Sequence, residues 1–150
     1  MLNAQFIIRK MTEQDLDQVM NIEKASFALP WSRDSYHNEL SNEYAIYLVC
    51  DVAGKTAGYA GIWSVYEEAH ITNVAVDHKF RMAGLGKALM QELENTVRRK
   101  RAERILLEVR PSNTAALAMY HNLGYVPSGL RKAYYSDNDE DAIIMTKQLI

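Results

Sequence analysis

A chain of 150 residues is long enough for one domain with one sizeable core and too short for two ordinary ones. Apolar residues make up 48% and charged residues 24%, the balance of a soluble globular protein, and a net charge of -2 argues against a broad basic face for nucleic acid. A lone cysteine excludes an intrachain disulfide, and no apolar run approaches the length that spans a bilayer, so residues 1–150 read as one cytoplasmic domain with no membrane partner.

The opening "MLNAQFIIRKMTEQDL" becomes charged too early for a signal peptide, and "QFIIRKM" within it reads as a first strand. Thr12 caps a helix, with Asp15 completing a capping box, and Leu16, Val19 and Met20 make an apolar stripe that Glu23 continues at helical spacing. "ALPWS" breaks this helix at Pro30, and Ser32 caps a second, short one, "RDSYHNEL". Three strands follow as an antiparallel meander: "AIYLVCDV", a turn at Gly54-Lys55, "TAGYAGIWSVY" and "EAHITNVAV". Cys50 reads as a small core hydrophobe. Gly58 and Gly61 inside a strand point to a bulge or a close approach of backbone.

The longest helix spans roughly residues 84–101, with Leu85, Leu89, Leu93 and Val97 on one stripe. "RILLEV" is a short strand covered on both faces. A helix from Asn113 to Asn122 stops at Gly124, and "YVPSGLRKAYY", an acidic turn "SDNDED" and "AIIMTKQL" close the chain as a hairpin. The order β-α-α-β-β-β-α-β-α-β-β predicts an α/β domain, a mixed sheet of about seven strands flanked by about four helices.

"FRMAGLGKAL", at the junction of a strand and the longest helix, carries the main functional signal. Helix N-termini offer unpaired N–H groups and a partial positive charge, and glycines let a ligand approach the backbone. With Arg81 and Lys87 these features describe an anion cradle, phosphate being the usual guest. A Walker loop needs Ser or Thr where Ala88 stands, and a dinucleotide fingerprint needs glycine where Leu89 stands. The plainer reading is a glycine-rich turn with solvated charges.

"RMAGLGKA" resembles the R/Q-x-x-G-x-G/A coenzyme A motif of the Gcn5-related N-acetyltransferases, and the resemblance runs over nearly the whole chain. "LLEVRPSNTAALAMYHNLGY", with "PWS" before it and "YY…EDAIIM" after it, is similar to the RimI-type alanine acetyltransferases, which modify the N-terminal alanine of a small-subunit ribosomal protein. The resemblance implies acetyl-CoA as donor and the N-terminus of a ribosomal protein as acceptor. It implies that the backbone of Val74, Ala75 and Val76 pairs with the pantetheine arm. Arg81 and the amides of Met82, Ala83, Gly84, Leu85, Gly86 and Lys87 would hold the pyrophosphate, and Asn113 and Tyr120 would meet the cofactor near its thioester. Met82 and Ala83 stand where many relatives carry polar residues.

Acetyl transfer needs a neutral amine. An N-terminal amine, with a pKa near 7.7–8.0, costs about 1 kcal/mol to neutralise at pH 7, and a lysine about 4.6 kcal/mol, so a modest base suffices for an N-terminal acceptor. Glu108 interrupts an apolar strand and is the candidate base, its pKa expected to rise on partial burial; the alternative is an exposed strand end or a pair with Arg110. Tyr120, two helical turns from Asn113, is the candidate acid, or else a core aromatic with its hydroxyl satisfied elsewhere. The resemblance favours the catalytic reading of both, and from family geometry puts an oxyanion-binding N–H near Val74.

Trp31, Tyr134 and Tyr135 either frame a peptide slot or pack on the core. The four acids of "SDNDED" either steer a basic acceptor or form a solvated hairpin tip. "RRKR" at the end of the long helix suits the helix dipole. His37, His70, His78 and His121 lack metal-ligand spacing, and no metal is expected. The oligomeric state stays open, a monomer being the simpler expectation. Two rival readings remain: the same fold acting on a lysine or a small amine, and a CoA-sensing module without catalysis.

Overall fold

The structure, a computed structural model, describes residues 5–150. The first four residues, on which the signal-peptide reading partly rests, lie outside the described residues. Seven strands form one sheet: β1 (Ile7–Lys10), β2 (Ala45–Val52), β3 (Lys55–Val65), β4 (Glu68–Val76), β5 (Arg104–Val109), β6 (Val126–Tyr135) and β7 (Glu140–Gln148). Four α-helices flank it: α1 (Leu16–Ser26), α2 (Arg33–Glu39), α3 (Leu85–Arg99) and α4 (Thr114–Asn122). The strand order is β1-β2-β3-β4-β5-β7-β6, antiparallel throughout except for β4 and β5.

The local signals act where the sequence puts them, with small shifts. Thr12 and Asp15 form the capping box, but the first turn is a 3-10 turn and α1 proper begins at Leu16. That helix ends at Ser26, four residues before Pro30, because Phe27 already takes an extended conformation. Ser32 caps α2 by accepting from the Ser35 N–H at 3.1 Å. The β2–β3 turn is Ala53-Gly54 rather than Gly54-Lys55: both residues have positive φ, 53° and 84°, as a tight hairpin turn with the twist of its strands requires.

Leu85, Leu89, Leu93 and Val97 bury one stripe of α3 against the sheet, in a core that also takes Ile62, Ile105, Leu107 and Met145. Burying each such leucine contributes about 1.5–3 kcal/mol. A second core lies on the opposite face, where Leu16, Val19 and Ile22 of α1 meet Tyr36, Tyr47 and Tyr59.

Two irregularities shape the middle of the sheet. Gly61 faces the Tyr47 ring so closely that a Cβ there would stand 2.1 Å from a ring carbon. Beside it, β4 bulges: Gly61 pairs with Asn73 and Ile62 with Ile71, leaving Thr72 without a partner in the ladder. The β4–β5 ladder runs from Glu68↔Arg104 to His70↔Leu106 and stops, although both strands continue. Beyond it, β5 stays paired with β7 and β4 with β3, so the sheet opens between Ile71–Val76 and Leu107–Val109.

Gly61→Ala should lower stability by about 1–3 kcal/mol, since the methyl displaces the Tyr47 ring. Urea unfolding of the two proteins measures this, and equal midpoints would contradict it.

Candidate active site

The opening in the sheet is the floor of a cavity of about 520 Å³. Its walls are Ile71–Val74 of β4, Leu107–Arg110 at the end of β5, the α4 side chains Met119 and Tyr120, the Phe27–Leu29 and Trp31 segment after α1, and Tyr134 and Tyr135 of β6.

Glu108 enters from β5. Its neighbours Leu107 and Val109 face the α3 core, so alternation turns the carboxylate to the other face. Its side chain is 9% exposed. One oxygen lies 2.6 Å from His70 Nε2, and Arg131 Nε donates to the other at 3.3 Å. Burial pushes this carboxyl up, but the His70 hydrogen bond and the His70 and Arg131 charges outweigh it and hold it below the usual carboxylate range. The expectation of a raised pKa is therefore overturned, and by partners other than Arg110. That guanidinium instead clamps Asp137 at 2.8 Å and Glu140 at 3.2 Å and lies over the Tyr135 ring, 3.9 Å from its centroid.

Tyr120 enters from α4. Its ring packs edge-on to Tyr125 at 5.9 Å, and the Tyr125 hydroxyl is anchored on Glu94 at 2.9 Å. The Tyr120 hydroxyl makes no hydrogen bond to any described residue, and burial with nearby Tyr135 pushes its pKa up to about 12. Asn113, at the head of α4, accepts from the Ala116 N–H at 3.2 Å, so its carbonyl caps the helix while its residue lines the cavity.

Glu23, 2% exposed, is a further buried acidic side chain of the site. One oxygen accepts from the Tyr36 and Tyr59 hydroxyls, each at 2.5 Å, and the other from the Trp31 N–H at 2.9 Å. Burial and the neighbouring charges push both phenols far up, so they remain donors. The Asn73 amide donates to the Tyr36 hydroxyl, and Thr72 donates to Asn73 Oδ1 at 2.9 Å. The bulged segment of β4 is thereby tied to α1 and α2.

From the cavity the free edge of β4 leads past Ala75 and Val76 to α3. Gly84 is the N-cap of α3, with φ 80° and no side chain to satisfy the first-turn N–H groups. A Cβ on Gly86 would stand 3.2 Å from Met119 Sδ and 3.7 Å from a Val76 methyl, so the helix start abuts both the β4 edge and the cavity wall. Met82 holds a positive φ of 66° with its side chain in solvent, and Arg81 Nε bonds the Val76 carbonyl at 3.2 Å.

Residues 16–125 match the model of the acetyltransferase (GNAT) family. The chain belongs to the GNAT acetyltransferases. This acetyltransferase is 46% identical over 139 residues, 92% of each chain, to a proposed ribosomal protein bS18-alanine N-acetyltransferase of Bacillus subtilis (strain 168). It is 35% identical over 140 residues, 92% of this chain and 94% of the relative, to the ribosomal protein bS18-alanine N-acetyltransferase of Escherichia coli (strain K12). The crystal structure of the ribosomal-protein-S18-alanine N-acetyltransferase from Escherichia coli matches with a TM-score of 0.88 at 33% identity, covering 97% of this chain and 94% of that one. The mixed seven-stranded sheet with four helices is the GNAT fold.

Of the residues singled out in the sequence, Val74, Glu108, Asn113, Tyr120, Trp31, Tyr134 and Tyr135 line this same cavity. Ala75, Val76 and the 81–87 segment lie outside it, along the strand edge and helix start. The acidic turn carries less free charge than its composition implies, because Arg110 holds Asp137 and Glu140 and Asp141 accepts from the Ala133 N–H. Glu23, His70 and Arg131 were missed. Glu23 had a signal, a carboxylate extending an apolar stripe; the other two reach Glu108 only through strand pairing.

The depressed Glu108 pKa has a stability consequence. The folded value lies below the ordinary one near 4.3, so its contribution is present above that pH and is lost as pH falls through the folded value. Thermal unfolding from about pH 7 to 3 should show a shallower acid decline for Glu108→Gln than for the wild type. Parallel declines would mean that the carboxylate is not held ionised.

Proposed function

We propose that this chain moves acetyl from acetyl-CoA to the α-amino group of a protein, the N-terminal alanine of a small-subunit ribosomal protein, and that residues 1–150 form one such domain acting in the cytoplasm. The observation that supports this reading most is that Glu108 and Tyr120, from a strand and a helix, line one cavity that opens onto a free strand edge leading to an uncapped helix start. The names of the Bacillus subtilis and Escherichia coli relatives supply the acceptor.

In this reading the main chain of Val74, Ala75 and Val76, paired to β3 but no longer to β5, receives the pantetheine arm as an added strand. Arg81, Lys87 and the amides from Met82 to Lys87 receive the pyrophosphate, where first-turn N–H groups and the helix dipole favour an anion. An N–H near Val74 faces the oxyanion. Trp31, Tyr134 and Tyr135 border the entry of the acceptor peptide.

The amine attacks the thioester directly. Cys50 takes no part: it is buried on β2, and burial pushes its thiol up to about 11. Glu108 is ionised at neutral pH and receives the proton that the amine gives up. Tyr120, near 12 against an ordinary thiol near 8.5, would give its proton to the thiolate only uphill, by roughly 5 kcal/mol. It therefore stabilises the departing sulfur by donating a hydrogen bond.

Glu108→Gln should lower kcat for an alanine-starting peptide by about 10²–10⁴, and Tyr120→Phe by a smaller factor, with acetyl-CoA binding retained in both. Unchanged rates in both variants would reject these roles. Lysine peptides and polyamines should be poor acceptors beside the alanine peptide. Preference for either would move the assignment to another amine, and binding of acetyl-CoA without any acetylation would favour a sensing module. Mass spectrometry of ribosomal-protein N-termini, with and without the protein, tests the acceptor in the cell.

A further inference from the structure

The β6–β7 hairpin brings Tyr134 and Tyr135 to the cavity, and strand pairing holds its tip weakly. The ladder skips from Arg131↔Ala142 to Tyr135↔Glu140, so Lys132, Ala133 and Tyr134 stand against Asp141 alone, and Ala133 takes a positive φ of 49°. Only the Tyr135↔Glu140 pair lies between this irregularity and the 136–139 turn. Something else must fix where the two rings stand. Arg110, two residues past Glu108 and just beyond β5, does so. Its Nη2 donates to Asp137 at 2.8 Å, and its Nη1 to Asn138 at 3.1 Å and to Glu140 at 3.2 Å, so one planar group spans the turn. Its guanidinium carbon also stands 3.9 Å from the centre of the Tyr135 ring. Glu140 is shared: it accepts from the Ser112 N–H at 2.9 Å and from the Ser112 hydroxyl at 3.0 Å. The side chains of Arg110, Asp137 and Glu140 are 22%, 24% and 18% exposed, so these ion pairs are better shielded than ordinary surface pairs.

We infer that Arg110 is a positioning residue for acceptor binding, fixing the Tyr134–Tyr135 side of the slot that the first residues of the acceptor enter. This rests on the acetyl-transfer reading above. The two rings meet edge-on, 5.0 Å between centroids, so holding Tyr135 also holds Tyr134. A ring already held in place loses less freedom when a peptide docks against it, and the peptide binds more tightly for that reason. Releasing the hairpin tip therefore weakens the acceptor's hold and leaves the chemistry in place. Glu108 is fixed by His70 and Arg131, and Tyr120 by its packing on Tyr125. Trp31, the third aromatic of the slot, is pinned separately, its N–H donating to Glu23 at 2.9 Å.

Steady-state kinetics with an alanine-starting peptide at saturating acetyl-CoA test this. Arg110→Gln removes the charge and the fork. Its peptide KM should rise about tenfold, while kcat and acetyl-CoA affinity stay within about twofold of the wild type. Glu140→Gln should raise KM as well, and the double variant no further than Arg110→Gln alone, since both release one tip. Arg110→Lys keeps the charge but cannot span three acceptors, and its KM should rise by about threefold or more. A wild-type KM in either Arg110 variant overturns the proposal. So does a loss of kcat or of acetyl-CoA affinity as large as the change in KM, and so do Arg110 and Glu140 effects that simply multiply. A readout without acceptor separates the clamp from the choice of substrate. The amides of Ser112, Asp139 and Glu140 are bonded within it, and in Arg110→Gln they should exchange with solvent at least about tenfold faster. A wild type that acetylates no peptide, beside faster exchange in the variant, sinks the transfer reading and leaves the clamp. Unchanged exchange sinks the clamp, whatever the acceptor.

Discussion

Everything at the active site depends on the parting of β4 and β5 after the His70↔Leu106 pair. Two parallel strands that stayed paired would fill the space with backbone hydrogen bonds. The bulge at Thr72 lies two residues beyond that last pair, at the start of the divergence, and β5 is held to β7 along its other edge. The opening exposes one row of β4 main-chain groups and brings Glu108 to the edge of a space that Tyr120 enters from α4. A ligand strand is the natural occupant of such an edge.

The same segment of β4 is held from behind by a chain of polar contacts. Thr72 and Asn73 connect to Tyr36, and Tyr36 and Tyr59 converge on the buried carboxylate of Glu23. A charge removed from water is tolerable only when its lone pairs are met by good donors, and Glu23 has two phenols and the Trp31 N–H. The network therefore does two things at once. It stabilises the bulge, and it fixes the loop that carries Trp31 at the rim of the cavity.

Glu108 and Tyr120 show how environment divides labour between two buried groups. Both are desolvated, which by itself disfavours either anion. Glu108 meets His70 and Arg131, and the His70 hydrogen bond together with the charges of both reverses the shift; Tyr120, in an apolar core near Tyr125 and Tyr135, has no such partner, and its shift stands. The result is a carboxylate that is ionised and a phenol that is not, both lining one cavity.

Local and periodic features were legible in the chain alone. The capping box at Thr12, the Ser32 cap, the leucine stripe of α3, the αL stop at Gly124 and the order of elements each depend on neighbours within a few residues. The glycine stretch was legible for the same reason, since an uncapped helix start is written in consecutive residues. What lay beyond reach was set by pairing between distant strands. The sign of the Glu108 shift depends on His70, 38 residues away, and Arg131, 23 residues away, which strand order alone brings to it. The burial of Glu23 and the release of the acidic turn's charge to Arg110 likewise follow from contacts across the fold. Sequence patterns report what a residue's neighbours in the chain require of it; a pKa, an ion pair and a cavity report the company that the sheet assembles.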